Sequence, residues 1–259
     1  MINRVPLTRG RVLALVIGVP LVLAIIGWSA LTAVAFAGQA SYPVRINLPV
    51  HGGTVNFSVD SGDVTVSQTA GDRLVATGTA HYSLVRSTVT WHTTASGVIV
   101  TPECHFVTGV CSFNLRAVVP AGKPANVSAG SGNMVLRGLT GPVNAGSGSG
   151  NITGSALSGP QVTIAVGSGD IAVDGLTSQH VVASAGSGNI SLTFGKVPSR
   201  VRVSNSSGNV SLVLPPGPTY YRVHAATDSG NRIIGVPTNS ASSHVITVTD
   251  GSGDISITN

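Results

Sequence analysis

Four carboxylates stand at or near a short motif that recurs along this chain, Ser-Gly followed by Asn or Asp. They are Asp63, Asp170, Asp174 and Asp254. Polysaccharide-cleaving enzymes place two carboxylates across the scissile bond, one as an acid and one as a base or nucleophile. Here most copies of the motif carry Asn, and only Asp170 and Asp174 lie close in sequence. We therefore predict turn residues, with a polysaccharide-active site as the alternative.

The two cysteines, Cys104 and Cys111, flank a six-residue segment that we interpret as a hairpin loop. In an exported domain, a pair this close in sequence is typical of a disulfide. A metal site is the alternative, because His105, His92 and His81 lie in the same region. Such a site would need further ligands at suitable spacing, so we predict a disulfide and no bound metal or cofactor.

Other chemical interpretations of the motif fail on spacing. Residues 146–150 read Gly-Ser-Gly-Ser-Gly, but no strand-to-helix turn surrounds them as a nucleophilic serine requires. Calcium-binding solenoids have a nine-residue period and denser Asp. Asn151, Asn189 and Asn209 fit a glycosylation signal only because they belong to the repeat. We predict no catalytic residue.

The motif itself is regular. Its serines are Ser61, Ser131, Ser149, Ser168, Ser187, Ser207, Ser229 and Ser252. From Ser131 onward they are 18, 19, 19, 20, 22 and 23 residues apart. A period near 20 residues indicates a solenoid, in which each unit buries its apolar face only by stacking on its neighbours.

The residues around each serine alternate as half-buried strands do. Side chains six and four residues before the serine are apolar in every copy, and those three and five residues after it are apolar in most. Ile190 and Leu192, for example, follow Ser187. Gly154 and Arg232 are the two departures. Each repeat therefore predicts two short strands joined at a Ser-Gly-Asn/Asp corner.

Stacked corners would repeat about every 4.8 Å. The Asn and Asp side chains would then form a ladder along the solenoid. Its members are Asp63, Asn133, Asn151, Asp170, Asn189, Asn209, Asn231 and Asp254. Gly suits such a corner because it accepts positive φ.

The unit V-x-V-x-x-x-S-G-[ND]-[IV]-x-[LV], led by residues 115–134, resembles the bacterial putative-adhesin domains of unknown function. The likeness covers residues 115–259 well and residues 50–66 less well. It implies an all-β fold, a parallel β-helix or β-solenoid exposed at the cell surface, and it brings no catalytic residues. Residues 73–119 depart from the repeat, and we predict longer, partly antiparallel strands that cap the first coils.

The N-terminal segment predicts a membrane anchor. No charge occurs between Val12 and Val44, and residues 12–37 form an apolar run of roughly 39 Å as a helix, against a hydrocarbon core of about 30 Å. Three arginines precede it, so the positive-inside rule places residues 1–11 in the cytoplasm and the rest outside. A signal peptide cleaved after residues 35–37 and a buried core helix are the alternatives.

The predicted organisation is a cytoplasmic tail (1–11), a transmembrane helix (12–37), a linker (38–49) and an extracytoplasmic β-solenoid (50–259). The formal charge of +5 does not predict nucleic-acid binding, because three of the basic residues precede the apolar run. Most of the others are scattered apart from Lys196, Arg200 and Arg202, without interleaved aromatics.

With only 9% charged residues, the chain offers little for catalysis. We expect a structural or adhesin-like binding module, single-pass in the cell membrane, with a surface glycan or protein as ligand. The alternatives are a polysaccharide-active enzyme on the same scaffold and an accessory or sensor subunit of an envelope-stress system.

Overall fold

The computed structural model describes residues 14–50, 52–94, 97–103 and 110–259. The predicted tail (1–11), Cys104 and His105 lie outside the described residues. A π-helical turn, Ala14–Gly18, leads into helix α1, Val19–Ala37. Strands follow for the rest of the described chain.

From β8 onward, a longer strand and a shorter strand alternate along the chain. Their bounds are β1 Gln39–Pro49, β2 Thr54–Ser61, β3 Val64–Thr69, β4 Arg73–Ser83, β5 Thr88–Thr94, β6 Gly97–Glu103, β7 Cys111–Pro120, β8 Ala125–Ser131, β9 Met134–Arg137, β10 Val143–Ser149, β11 Ile152–Ser155, β12 Gln161–Ser168, β13 Ile171–Leu176, β14 His180–Ser187, β15 Ile190–Phe194, β16 Arg200–Ser207, β17 Val210–Val213, β18 Arg222–Ser229, β19 Arg232–Ile234, β20 Val245–Ser252 and β21 Ile255–Thr258.

Helix α1 does not pack into the protein core. Residues 16–34 have a mean hydropathy of 2.1, and none of this stretch is buried. By length and composition the helix could cross a membrane. It ends where Gly38 N–H donates to the Val34 carbonyl, and β1 begins at the next residue. The alternative of a buried core helix is therefore wrong.

Two sheets face each other, and each coil contributes one strand to each sheet. The eleven-stranded sheet has the order β1-β4-β7-β3-β9-β11-β13-β15-β17-β21-β19. The ten-stranded sheet has the order β18-β20-β16-β14-β12-β10-β8-β2-β6-β5. All neighbours from β7 to β19 and from β18 to β6 are parallel. The predicted parallel β-solenoid is confirmed.

The core lies between the two sheets, where the inward side chains stack level on level. Ile190 and Leu192 are fully buried. Each pairs in register with Ile171 or Val173 on one side and with Val210 or Leu212 on the other. Ser191, between them, is exposed. The strand phase predicted from the sequence is thus the one that the fold uses.

The coils are not stacked in chain order at either end. The coil β20/β21 lies between β16/β17 and β18/β19, so the last repeat of the sequence is inserted one level before the end. At the other end β6/β7 lies outside β2/β3, although it follows them in the chain. The simplest sequence expectation, one level after another, therefore fails at both ends.

Two predictions about the N-terminal part are corrected. Residues 38–49 are not a linker, because β1 pairs with β4 along eleven residues, and its Val44 and Ile46 are buried. The hairpin predicted around the cysteines is not formed by the strands that flank that segment, because β6 and β7 lie in different sheets. The antiparallel strands expected within residues 73–119 are present as β4 and β5, and β1, which was not expected, pairs antiparallel with β4.

Candidate functional site

The corners of the coils bring the predicted Asn and Asp residues into one row. At each corner the backbone N–H of one residue donates to the side-chain Oδ1 of the corner residue on the next level. The row runs Asn114, Asp63, Asn133, Asn151, Asp170, Asn189, Asn209, Asp254 and Asn231. The N–O distances are between 2.7 and 3.1 Å. We call this row the corner ladder.

Asn114 is a member of the corner ladder that the sequence analysis missed. Its Oδ1 accepts the Asp63 N–H at 3.0 Å. The signal was present, because Ser112, Asn114 and Leu115 match the motif with Phe113 in place of glycine. A motif defined by Ser-Gly does not include this copy.

At the Ser-Gly corners, unlike the corner that holds Phe113, glycine is required for two physical reasons. Gly188 has φ of 131°, in a region that side chains rarely adopt. A Cβ there would lie only 2.1 Å from the Gly169 carbonyl oxygen on the adjacent level. Any side chain would therefore push two coils apart.

The acids of the corner ladder do not form a catalytic pair. Two Asn levels separate Asp63 from Asp170, and two separate Asp170 from Asp254. Three levels correspond to roughly 14 Å, whereas glycosidase carboxylates are roughly 5–9.5 Å apart. After each Asp comes an Asn whose Nδ2 also donates to that carboxylate, at 3.2–3.4 Å. The ladder acids are thus spaced and hydrogen-bonded as structural groups.

Polar side chains also occur inside the solenoid, two residues before the motif serine. Ser147, Asn205 and Asp250 are buried there, with 5–6% exposed. Ser147 donates to the Ser149 carbonyl at 3.1 Å, and Asn205 Nδ2 donates to the Gly208 carbonyl at 2.8 Å. These side chains therefore bond the inner side of the corner. The apolar pattern at four and six residues before the serine does not extend to this position, so the sequence did not predict it.

Asp250 differs from its neighbours in this inner column because a carboxylate has no proton to donate. Neither of its oxygens has a hydrogen bond of good geometry within the described residues, although the nearby N–H groups of Ser252 and Gly251 favour its charged form. Burial raises the pKa of this carboxyl above its usual range, the N–H groups of Ser252 and Gly251 oppose the shift, and the Asp228 carboxylate adds to it. A protonated Asp250 could donate to a corner carbonyl as Asn205 does.

A shallow depression of about 440 Å³ adjoins the first levels of the corner ladder on the eleven-stranded sheet. It is lined by Asp63, Thr65, Thr77, Gly78, Thr79, Asn114, Leu115 and Arg116. A second, of about 340 Å³, lies on the ten-stranded sheet around Asn56, Asn126 and Asn144. There the Asn126 Nδ2 donates to Asn56 Oδ1 at 2.8 Å. The first depression has one carboxylate, Asp63, and one guanidinium, Arg116, in its lining. The second has no charged side chain in its lining, so it suits binding through neutral polar groups.

The remaining predicted site residues are placed as follows. Cys111 begins β7 and is 9% exposed, while Cys104 lies outside the described residues, so their pairing stays a prediction. His81 belongs to β4 in one sheet and His92 to β5 in the other. Among the described residues, no three His, Cys, Asp or Glu side chains are grouped as a metal site.

Solved structures similar to this chain share little of its sequence. A crystal structure of a "putative cell adhesion protein" from Clostridium sporogenes is 12% identical, with a TM-score of 0.44, over 85% of this chain and 99% of that one. A "putative adhesin" from Bacteroides fragilis is 11% identical, with a TM-score of 0.45, over 83% and 97%. A search among curated proteins found no match.

The family comparison covers nearly the whole described chain. The model of the family described as Toastrack DUF4097 matches residues 38–258. Those residues begin directly after α1 and include every strand from β1 to β21. The chain therefore belongs to the Toastrack DUF4097 family.

Proposed function

We propose that this protein is a membrane-anchored, extracytoplasmic β-solenoid that acts as a structural or adhesin-like binding module at the cell surface, without catalysis. The proposal rests on the direct connection between α1 and the first strand of the solenoid. The helix is exposed on all sides, and β1, a strand of the solenoid, starts one residue after its capping glycine. Such a helix needs an apolar environment that the solenoid does not provide.

The turn that touches the end of α1 supports the anchor. Leu84 Cδ2 lies 3.2 Å from the point that a Cβ would occupy if residue 38 were not glycine. Leu84 and the adjacent Val85 are 49% and 51% exposed, and the Arg86 guanidinium lies 4.3 Å from the centre of the Tyr42 ring. Apolar, aromatic and basic side chains together are typical of the membrane–water interface.

The polar depressions and the spacing of the acids favour binding over catalysis. The corner ladder engages its acids in hydrogen bonds along the stack. The outer face around Asn56 and Asn126 presents neutral amides suited to a glycan or a protein surface. An accessory or sensor role in an envelope-stress system needs a membrane partner and stays a prediction.

Topology is tested with a reporter that works only in the cytoplasm, fused after Asn259. We expect the fusion to be silent, because three arginines precede the apolar run and the positive-inside rule keeps them in the cytoplasm. A matched fusion before residue 12 should be active. Strong activity of the C-terminal fusion would show that the solenoid is cytoplasmic.

Export also predicts the state of the cysteines. Cys104 and Cys111 should be joined in protein taken from the envelope, because that compartment is oxidising. Alkylation before and after reduction, followed by mass measurement, counts the free thiols. Two free thiols before reduction would contradict the disulfide and weaken the case for export.

Binding is tested with the full chain in detergent on glycan and protein arrays. We expect a ligand whose signal falls for Asn126→Ala, which removes an amide from the polar depression of the ten-stranded sheet. Ser191→Ala, on the opposite sheet and also exposed, is the matched control. A complete lack of binding would leave only the structural role.

A further inference from the structure

The outer face of the ten-stranded sheet carries basic side chains on the four levels farthest from β5. Arg200 and Arg202 are both exposed on β16. Strand pairing places the exposed His180 beside Arg200, and the exposed His224 two levels from Arg202. Neighbouring levels are about 4.8 Å apart, and residues i and i+2 of a strand about 7 Å. We call these four side chains the basic cluster.

The positive charges of this region are not neutralised within the described chain. Residues 175–249 include five Lys or Arg and one acid, Asp228. Asp228 is on the same face as His224 but four residues farther along β18, at roughly 13 Å. Neither the Arg200 nor the Arg202 guanidinium has a hydrogen-bond or ion-pair partner among the described residues. Exposed guanidiniums of this kind are suited to carboxylates, which they bind through two parallel hydrogen bonds.

Nothing in the described chain covers the basic cluster. Residues 237–239 pair with the chain at Tyr221, beside the edge strand. On the outer face of β18, Arg222 is half-buried, whereas His224 is exposed. The four side chains of the cluster are therefore accessible from the outer face of the sheet, which does not depend on a free strand edge.

The basic cluster continues a column of neutral polar side chains on the same face. In stacking order, the column holds Asn56, Asn126, Asn144, Thr163, Val182, Arg202, Thr247 and His224. Beyond the depression around Asn126, a further one of about 330 Å³ reaches Gln161 and Thr163. Gln161 pairs in register with His180, so the neutral part of the face adjoins the basic part.

We propose that this face binds an acidic polysaccharide, which lies along the column from Asn126 to Arg202. These two residues are four levels apart, or roughly 19 Å. Sugar hydroxyls exchange hydrogen bonds with the Asn amides, and carboxylates on the sugars pair with the guanidiniums of Arg200 and Arg202. The inference rests on the proposed binding role and deepens it, because it names the class of ligand.

Two other ligands match only one part of the face. A neutral glycan suits the Asn and Thr side chains but leaves the guanidiniums without an anion. An acidic protein segment suits the basic cluster but brings no row of hydroxyls to the amides. A linear polymer that carries both hydroxyls and carboxylates matches both parts.

Binding is measured by titration calorimetry with the full chain, in a detergent that has neither charge nor sugar. The probes are hexagalacturonate, its methyl ester, in which the same sugars carry no charge, and hexaglutamate. We expect hexagalacturonate to bind about tenfold more tightly than either of the others. Its affinity should fall as salt is added, because salt screens exposed charges.

Variants locate the site on this face. Arg200→Gln and Arg202→Gln should each weaken hexagalacturonate binding by about fivefold or more, because each removes one charge-assisted pair. Asn126→Ala should weaken the binding of the acid and of the methyl ester alike. Arg137→Gln is the matched control, because it makes the same charge change at an exposed position of the other sheet. Thermal melts check that all variants are folded.

Three results would overturn the inference while the proposed binding role stands. They are equal binding of the acid and its methyl ester, wild-type affinity of both arginine variants, and hexaglutamate binding as tight as that of hexagalacturonate. Lack of binding to all three probes also overturns it. The array experiment then decides the proposed function by itself, because it detects ligands of other classes.

Discussion

The middle of the stack and its far end are built from the same repeat, but the inward positions of that repeat are buried in the middle and exposed at the end. In the middle coil β14/β15, both inward residues after the motif, Ile190 and Leu192, are fully buried. In the end coil, the same two columns hold Arg232, which is exposed, and Ile234, which is 43% exposed. In these two columns, the side chains are buried in the middle coil, which has a coil on both sides, and exposed in the last coil, which has one on one side only.

The two ends also differ from each other. Near α1, the stack is closed by strands that reverse direction, β1 against β4 and β5 against β6. Prolines at 43 and 49 in the edge strand β1 lack an N–H and discourage further pairing. At the far end the edge strands keep the direction of the stack, and a single arginine covers one carbonyl. Residues 237–239 also pair with the chain at Tyr221, beside the start of β18, so the two ends are covered in different ways.

The largest difference between middle and end should come from one substitution made in both places. Leu192→Asp puts an unpaired carboxylate in the core and should lower the free energy of unfolding by about 4 kcal/mol or more. Ile234→Asp, in the same column, should lower it by about 1 kcal/mol or less. Chemical denaturation of both variants gives the comparison, and Ser191→Asp, on the exposed face, is the control. Equal losses at 192 and 191 would mean that the assigned strand phase is wrong.

The corners should be the next most sensitive positions in the middle coils. Gly188→Val needs a conformation with φ of 131° and brings a Cβ to 2.1 Å from the Gly169 oxygen. We expect a loss of about 3 kcal/mol. Gly146→Ala is the control, because its Cβ meets nothing nearer than the Ala165 oxygen at 3.9 Å. It should be neutral or stabilising by up to about 1 kcal/mol. A mild effect of Gly188→Val in thermal melts would contradict the corner geometry.

The inner column predicts a pH effect confined to the far end. Because burial raises the pKa of Asp250 in the folded state, its carboxylate destabilises the fold at neutral pH. Stability should therefore rise as pH falls through the folded pKa toward the unfolded value of about 3.9. Asp250→Asn can donate as Asn205 does, and should raise the free energy of unfolding at neutral pH by about 1 kcal/mol or more, because it replaces a buried charge with a neutral donor.

This difference between Asp250→Asn and the wild type should disappear at low pH, where Asp250 is protonated in both states. Urea unfolding at several pH values measures it. Ala185→Asn, in the same column of the middle coils, is the counterpart that introduces an amide without removing a charge. A wild-type stability that does not change relative to Asp250→Asn across the range would contradict a raised pKa.

The smallest expected difference concerns the corner ladder. Asn189 Oδ1 accepts the Asn209 N–H at 2.9 Å, whereas Asn231 is the last member of the row and accepts no N–H from a further level among the described residues. Asn189→Ala should cost about 1 kcal/mol, and Asn231→Ala should cost less. Thermal melts of both variants decide it. Equal costs would mean that the ladder does not stabilise the stack through these N–H groups.

Much of the fold could be predicted because the same strand and corner pattern occurs many times in the sequence. Alternating apolar residues around each serine set which side chains face inward, and the structure keeps that phase from β8 to β17. The row of corner residues also follows, since stacking places equivalent positions about 4.8 Å apart. Asn114 was missed because Phe113 replaces the glycine there, and the buried Asn205 and Asp250 because single polar residues in a short strand do not change its apolar pattern.

The sequence by itself determined the coil: two short strands, a glycine corner, and the faces that are buried. These are local properties, since side-chain alternation and positive φ depend on a few neighbouring residues. Only the tertiary structure decided the order of the coils, with β20/β21 inserted before β18/β19 and β6/β7 placed outside β2/β3. Coils with the same phase can pair with any neighbour. A coil in the middle of the stack must have apolar side chains in its inward columns, because neighbouring coils cover it on both sides. In β18/β19 the charged Arg232 occupies one of these columns, which suits this coil to the end of the stack.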